Sequence, residues 1–175
     1  MVIWITGISG AGKTTISKNL YQQFKCIIPE IVTVDGDEVR NLFGKALGYS
    51  EKDRFIQIER VQRIAAFLDK QGMLVLVSAL YSHPKLLSWN RKNFSEYFEI
   101  YLKTSIDLVS DRDPKGLYRK FFAGEMQDVV GLDIVWHAPK NPDLSITMDK
   151  SKNLCDTSNT IISRIDRLAN ATKFG

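Results

Sequence analysis

The chain has 175 residues, 44 % of them hydrophobic and 25 % charged. That is one ordinary domain with the composition of a soluble globular protein, which excludes a disordered chain, a collagen-like chain and a disulfide scaffold. Lysine and arginine number 24 against 20 aspartates and glutamates, a net charge of +4. This mild excess suits a protein that handles small anions, and without a basic run or a basic-aromatic stripe no nucleic-acid partner is expected.

No apolar run approaches the roughly 18 residues of a membrane span, so no membrane partner is expected either. The N-terminus enters a strand pattern directly, without the basic region of a signal peptide. Cys26, Cys155, His83 and His137 are too few and too scattered for a Cys/His metal site. The cysteines read as two structural thiols of a reduced, cytoplasmic protein.

In chain order, Val2 to Thr6 predicts a short buried strand closed by a glycine cluster. Ile16, Leu20, Tyr21 and Phe24 share one helical face within Thr14 to Phe24. Ile31 to Val34 predicts a second strand, followed by Asp35-Gly36-Asp37 and a short helix over Glu38 to Phe43. Ser50 opens a long helix with apolar positions at Ile58, Val61, Ile64, Ala65 and Leu68, and Gly72 stops it. Met73 to Ser78 is a third strand, Lys85 to Tyr97 a helix, Phe98 to Leu102 a fourth strand, and Ser105 to Arg112 a short helix with a serine cap. Asp113 to Asp143 is polar, carries Pro114, Pro139 and Pro142, and shows no long period, which marks a functional segment such as a lid. Leu144 to Thr147 is a fifth strand, and Ile161, Ile162, Ile165 and Leu168 define one amphipathic C-terminal helix from Ser158. The strands are apolar throughout and alternate with helices. The expected fold is therefore α/β: one domain over 1–175, a central parallel sheet of about five strands covered on both faces, and a lid over about 112–142.

Gly7-Ile8-Ser9-Gly10-Ala11-Gly12-Lys13-Thr14 fits G-x-x-x-x-G-K-[ST] between a strand and a helix. The glycines let backbone N–H groups turn inward at a phosphate, and the following helix adds its positive end. The expected nucleotide ligand is ATP, held by Gly7, Ser9, Gly10, Ala11, Gly12, Lys13, Thr14 and Thr15, with Lys13 on the β- and γ-phosphates and Thr14 on Mg²⁺. No Asn-Lys-x-Asp is present for guanine, and the lid suits a small-metabolite kinase that must keep water from the γ-phosphoryl group. Asp35 and Asp37 lie past the second strand, where open sheets bind ligands. One carboxylate suits the metal and the other the acceptor hydroxyl's proton, although Asp-Gly-Asp alone reads equally as a turn with a helix cap.

Several blocks in order resemble the adenylylsulfate kinases, over about residues 1 to 150. They are the loop through Thr15, Asp35-Gly36-Asp37-Glu38-Val39-Arg40, Leu47-Gly48-Tyr49-Ser50, Asp53-Arg54, Arg112-Asp113-Pro114-Lys115-Gly116-Leu117-Tyr118, Gly131-Leu132-Asp133 and Ala138-Pro139. The resemblance implies a P-loop three-layer sandwich, ATP and Mg²⁺ as cofactors, and a homodimer. It implies Asp37 as base, Asp35 on the metal side with Thr14, and Lys13 in catalysis. It further implies Arg112 near the donor nucleotide, and Arg40, Tyr49, Arg54, Gln57, Lys115 and Val129 around the substrates, with Tyr49 stacking on the acceptor's base. Arginine suits the oxyanions of such an acceptor.

The departures fall on the acceptor side. Gln57 stands where the family has a substrate-contacting Asn, Glu59 where it has Arg, and Val129 where a Phe forms the second face of the adenine slot. Ser82-His83-Pro84-Lys85 replaces Ser-Pro-Tyr-Arg. The leading expectation is phosphorylation of the 3′-hydroxyl of adenylylsulfate. The alternative is a related nucleotide anhydride, such as the cytidine diphosphate phosphoramidate used by family members in capsule pathways. A non-catalytic ATP-binding protein would need a broken base or P-loop lysine, and Lys13, Asp35 and Asp37 are all present. Ser82 lines up with a serine discussed as a phosphoenzyme site in relatives, yet reads first as a turn cap, and His83 as a loop residue. Trp4 and Phe24 read as core, while Trp89 and Trp136 fit core, interface or lid.

Overall fold

The computed structural model describes residues 1–44 and 47–172. Five parallel strands, β1 (Val2–Thr6), β2 (Ile31–Asp35), β3 (Leu74–Ala79), β4 (Tyr97–Lys103) and β5 (Leu144–Thr147), form one sheet in the order β2-β3-β1-β4-β5. Every residue of β1 and β3 is buried, which is why these strands are apolar at successive positions. Thr6 pairs with Ala79 and Tyr101, and Asp35 with Ser78, so the carboxyl ends of the four neighbouring strands reach one edge together.

One face of the sheet packs Ile3, Ile5, Leu76 and Leu102 against α1 (Lys13–Phe24), α7 (Leu154–Ser163) and α8 (Asp166–Ala171). The other packs Trp4, Val75 and Val77 against α3 (Glu51–Lys70) and α4 (Pro84–Asn93). This is the three-layer α/β sandwich expected from the strand–helix alternation. Trp4 and Phe24 are fully buried, as expected of core residues. A smaller cluster of Ile8, Val109, Tyr118 and Val129 roots the segment after α5 (Ile106–Arg112) against the glycine loop.

Local chemistry accounts for the boundaries. Ser50 caps α3 by accepting the Asp53 N–H, and Ser105 caps α5 by accepting the Leu108 N–H. α4 ends at Asn93, short of the expected Tyr97, because Phe94 turns extended to place its ring against Trp4, Trp89 and Tyr97. Trp89 and Trp136 are both half-buried, and the Trp136 indole donates to the Tyr101 hydroxyl at 3.4 Å. The C-terminal helix starts earlier than expected, capped by Asn153, and breaks at Arg164–Ile165, where an extended residue brings both Ile165 and Leu168 into the core. The segment 113–143 contains α6 (Leu117–Phe122) and the bridge between Val130 and Ile134. Cys26 and Cys155 are free and exposed, which corrects their reading as structural thiols. Among the described residues no helix is long and apolar enough to cross a membrane.

Candidate active site

At the carboxyl edge of the sheet lies a cleft of about 1010 Å³. Residues 9–15 of the glycine loop form its floor. The loop has the shape its glycines dictate. A Cβ on Gly7 would meet the Leu102 carbonyl oxygen at 2.8 Å, and Gly12 takes a left-handed φ of 97° immediately before α1. Gly7 contributes this close approach and its carbonyl, while Ser9, Gly10, Ala11, Gly12, Thr14 and Thr15 line the cleft itself. The Lys13 ammonium is folded back onto the loop, donating to the Gly7 and Ile8 carbonyls at 2.8 and 2.9 Å. Its pKa is lowered to about 8, chiefly by burial and also by the Lys115 charge, with Asp37 and Asp35 opposing.

Facing the loop is the end of β2. The Thr14 hydroxyl donates to Asp35 Oδ2 at 2.6 Å, and Asp35 Oδ1 accepts the Asp37 N–H at 2.9 Å, capping α2 (Gly36–Leu42). Asp35 is thus a helix cap and a carboxylate beside the phosphate loop at once. A hydroxyl and a carboxylate so placed are the hard oxygen donors that Mg²⁺ takes. Asp37, largely exposed, carries an ion pair with Lys115, just before α6.

Arg40 donates to the Leu47 and Gly48 carbonyls at 3.2 and 2.7 Å, and its guanidinium lies 4.6 Å from the centre of the Tyr49 ring. Arg54 is buried, donates to the Tyr49 carbonyl at 2.9 Å and the Asp128 carbonyl at 2.6 Å, and sits 5.5 Å from the same ring. The two arginines and Tyr49 therefore stand together at one end of the cleft, which Gln57 also lines. Arg112 also lines the cleft and donates to the Asp149 carbonyl at 3.3 Å.

Val129 does not join them. It is 2 % exposed and packs with Ile8, Val109 and Tyr118 beneath the loop. The wall at this point is Met126, Gln127 and Asp128, with Asp128 in the left-handed region at φ 63° and Asp133 accepting the N–H groups of Asp128 and Val129. This turn directs Val129 inward, so its expected place opposite Tyr49 is corrected.

A model of the family described as adenylylsulphate kinase matches residues 1–147. The chain belongs to the adenylylsulphate kinase family. This makes it a member of a family of ATP-dependent kinases. It is 35 % identical to the cytidine diphosphoramidate kinase of Campylobacter jejuni, over 94 % of this chain and 95 % of that protein. It is also 35 % identical to the probable adenylyl-sulfate kinase of Archaeoglobus fulgidus, over 86 % of this chain and 97 % of that protein. The solved structure of the Mycobacterium tuberculosis APS kinase in complex with AMPPNP and APS superposes with a TM-score of 0.85 at 31 % identity, covering 93 % of this chain and 95 % of that one.

Within this adenylylsulphate kinase fold, sequence reasoning missed the far wall. Met148, Lys152, Asn153, Leu154 and Thr157 line the cleft after β5, and Leu80 and Tyr81 line it after β3. The signal was available: they follow carboxyl ends of strands, the rule that singled out Asp35. Ser82 is 1 % exposed and its hydroxyl donates to the His137 carbonyl, and His83 caps α4 by accepting the Lys85 N–H, so both hold loops. Tyr118 ties the segment after α5 to the glycine loop, its buried hydroxyl donating to the Ser9 carbonyl at 2.9 Å. A hydrogen bond of this kind contributes about 1 kcal/mol. The Tyr118→Phe enzyme is expected to fold normally and bind ATP a few-fold more weakly, which a fluorescence titration measures.

Proposed function

We propose that this kinase transfers the γ-phosphoryl group of ATP to the 3′-hydroxyl of adenylylsulfate, giving 3′-phosphoadenylylsulfate. The observation that carries the reading is the facing of a phosphate-binding loop and the Asp35–Asp37 turn across one cleft, with Arg40, Arg54 and Tyr49 gathered at one end. In this reading, the N–H groups of residues 9–14 hold the phosphates. Lys13 leaves the Gly7 and Ile8 carbonyls for the transferring group, and Asp37 takes the proton of the attacking hydroxyl. Thr14 and Asp35 would hold Mg²⁺, which would supply positive charge against the phosphates. Arg112 seats the donor nucleotide from the lid side, and Lys115 leaves Asp37 for a substrate oxyanion. A homodimer working in the cytoplasm belongs to the same reading, and light scattering of the purified chain tests the stoichiometry.

Arg40 and Arg54 meet the acceptor's oxyanions, and Tyr49, 55 % exposed, offers its ring to the base. Base–aromatic stacking contributes about 1–3 kcal/mol. Tyr49→Ala is therefore expected to raise the KM for the acceptor roughly tenfold or more, with the KM for ATP unchanged in steady-state assays. An unaltered acceptor KM would remove Tyr49 from the site.

One observation favours a second acceptor. With Val129 in the core, position 129 offers no second stacking face opposite Tyr49, and a smaller pyrimidine that relies on one stacking face suits such a slot. The Campylobacter jejuni relative is named for a cytidine compound. A coupled ATP-consumption assay with Mg²⁺ compares adenylylsulfate with cytidine diphosphate phosphoramidate at equal concentration. A far higher kcat/KM for adenylylsulfate supports the first reading; the reverse ranking overturns it in favour of the second.

A further inference from the structure

The first turns of α3 hold the loops of the site by their backbones. Arg54 grips the carbonyls of Tyr49 and Asp128, and one turn further on Gln57 reaches across to β2. Its Nε2 donates to the Gly36 carbonyl at 3.0 Å, in the middle of the Asp35-Gly36-Asp37 turn. Its Oε1 is buried and has no hydrogen-bond partner among the described residues. The direction of the amide is therefore set by the nitrogen alone: exchanging the two atoms would put two carbonyl oxygens against each other. Gln57 is 4 % exposed, so water does not compete for the bond.

The same turn is held from two other sides. Asp35 accepts the Asp37 N–H, and a Cβ on Gly36 would come within 3.3 Å of the Ser78 carbonyl oxygen, so β3 backs the turn closely. These contacts leave the Gly36 carbonyl as the handle by which α3 fixes where α2 begins, and Asp37 is the next residue. The family resemblance implies a substrate-contacting asparagine at position 57. An asparagine is one methylene shorter, and the glutamine nitrogen already spends its reach on a 3.0 Å bond.

We propose that Gln57 is a positioning residue, holding the Asp37 carboxylate at the acceptor hydroxyl through the Gly36 carbonyl. It acts on catalysis through another residue, and the inference rests on the kinase reading above. A displacement of about 1 Å at a reacting group costs on the order of a hundredfold in rate, so loosening this turn lowers kcat more than it lowers affinity for ATP.

The test compares wild type, Gln57→Met and Gln57→Asn with Mg²⁺-ATP and whichever acceptor the wild type turns over best. Methionine keeps the volume without the amide; asparagine keeps the amide without the reach. Both are expected to lose about tenfold or more in kcat, with the KM for ATP within twofold and a melting temperature close to wild type. Gln57→Asn at wild-type kcat would overturn the proposal, because an amide too short for Gly36 would then suffice. A rise in acceptor KM alone would also overturn it, leaving Gln57 as a plain substrate contact. Loss of kcat that tracks a lowered melting temperature would overturn it in favour of a general packing role. A wild type inactive with every acceptor sinks the kinase reading and this proposal together, whereas an active wild type matched by its variants sinks the proposal alone.

Discussion

Lys13→Ala is expected to bring phosphoryl transfer down at least a hundred- to thousandfold, the scale of losing one preorganised charge partner of a transition state. The loss follows from position. Lys13 is the first residue of α1, its ammonium lies among the loop carbonyls of Gly7 and Ile8, and the Lys115 ammonium is paired with Asp37. Alanine leaves the loop's N–H groups in place, so ATP binding weakens less than turnover does. Single-turnover rates beside an ATP titration separate the two, and retained transfer would remove the phosphate-loop mechanism. The lysine also sets a pH signature. Its pKa of about 8 in the free enzyme means that it is largely neutral at pH 9. Phosphates arriving beside it favour the charged form and raise that pKa. ATP binding is therefore expected to take up a proton above pH 8 and to leave the proton balance at this group unchanged well below it. Calorimetry in buffers of different ionisation heat measures the uptake, and its absence in Lys13→Ala assigns it.

What the sequence made legible was local. The glycine loop is eight contiguous residues whose spacing demands one backbone shape, and Asp35 and Asp37 follow from where the second strand stops. The strands were readable because a parallel sheet buried on both faces needs apolar residues at successive positions, as in Leu74 to Val77. What was not legible depends on non-local packing. Nothing in Asp128-Val129-Val130 announces that Asp128 takes a left-handed φ and turns Val129 into the core. The apolar spacing of Ile161, Ile162, Ile165 and Leu168 is helical although the helix breaks in the middle, because both pieces pack on one core face. Gln57 was picked out as a departure from the family, but its bond to Gly36 spans 21 residues and becomes visible only once α3 lies beside β2. The far wall after β5 was missed because Lys152, Asn153 and Thr157 have ordinary helix-cap and first-turn chemistry.

Asp37→Asn is expected to bind ATP about as tightly as wild type and to lose most of its turnover. General-base assistance contributes on the order of a hundred- to ten-thousandfold, and the amide has no basic oxygen to take the hydroxyl's proton. The substitution is nearly isosteric, and the cap that sets α2 uses the Asp35 side chain and the Asp37 backbone N–H, both of which survive it. The fold and the loop should therefore be unchanged, and the effect should fall on kcat. Two charge effects accompany it. Lys115 loses its carboxylate partner, and Lys13 loses the largest influence holding its pKa up, so ATP binding in the variant should begin to couple to proton uptake at a lower pH than in wild type. Both carboxylates hold the Lys13 pKa up, so it is the Mg²⁺ dependence that separates Asp37 from Asp35. Asp35→Asn would disturb the Thr14 hydroxyl and the Mg²⁺ dependence of ATP binding, whereas Asp37→Asn should leave the Mg²⁺ dependence as it is. Steady-state kinetics with ATP titrations at several Mg²⁺ concentrations read both. A wild-type kcat in Asp37→Asn would remove the base assignment, and a changed Mg²⁺ requirement would move Asp37 to the metal side of the site.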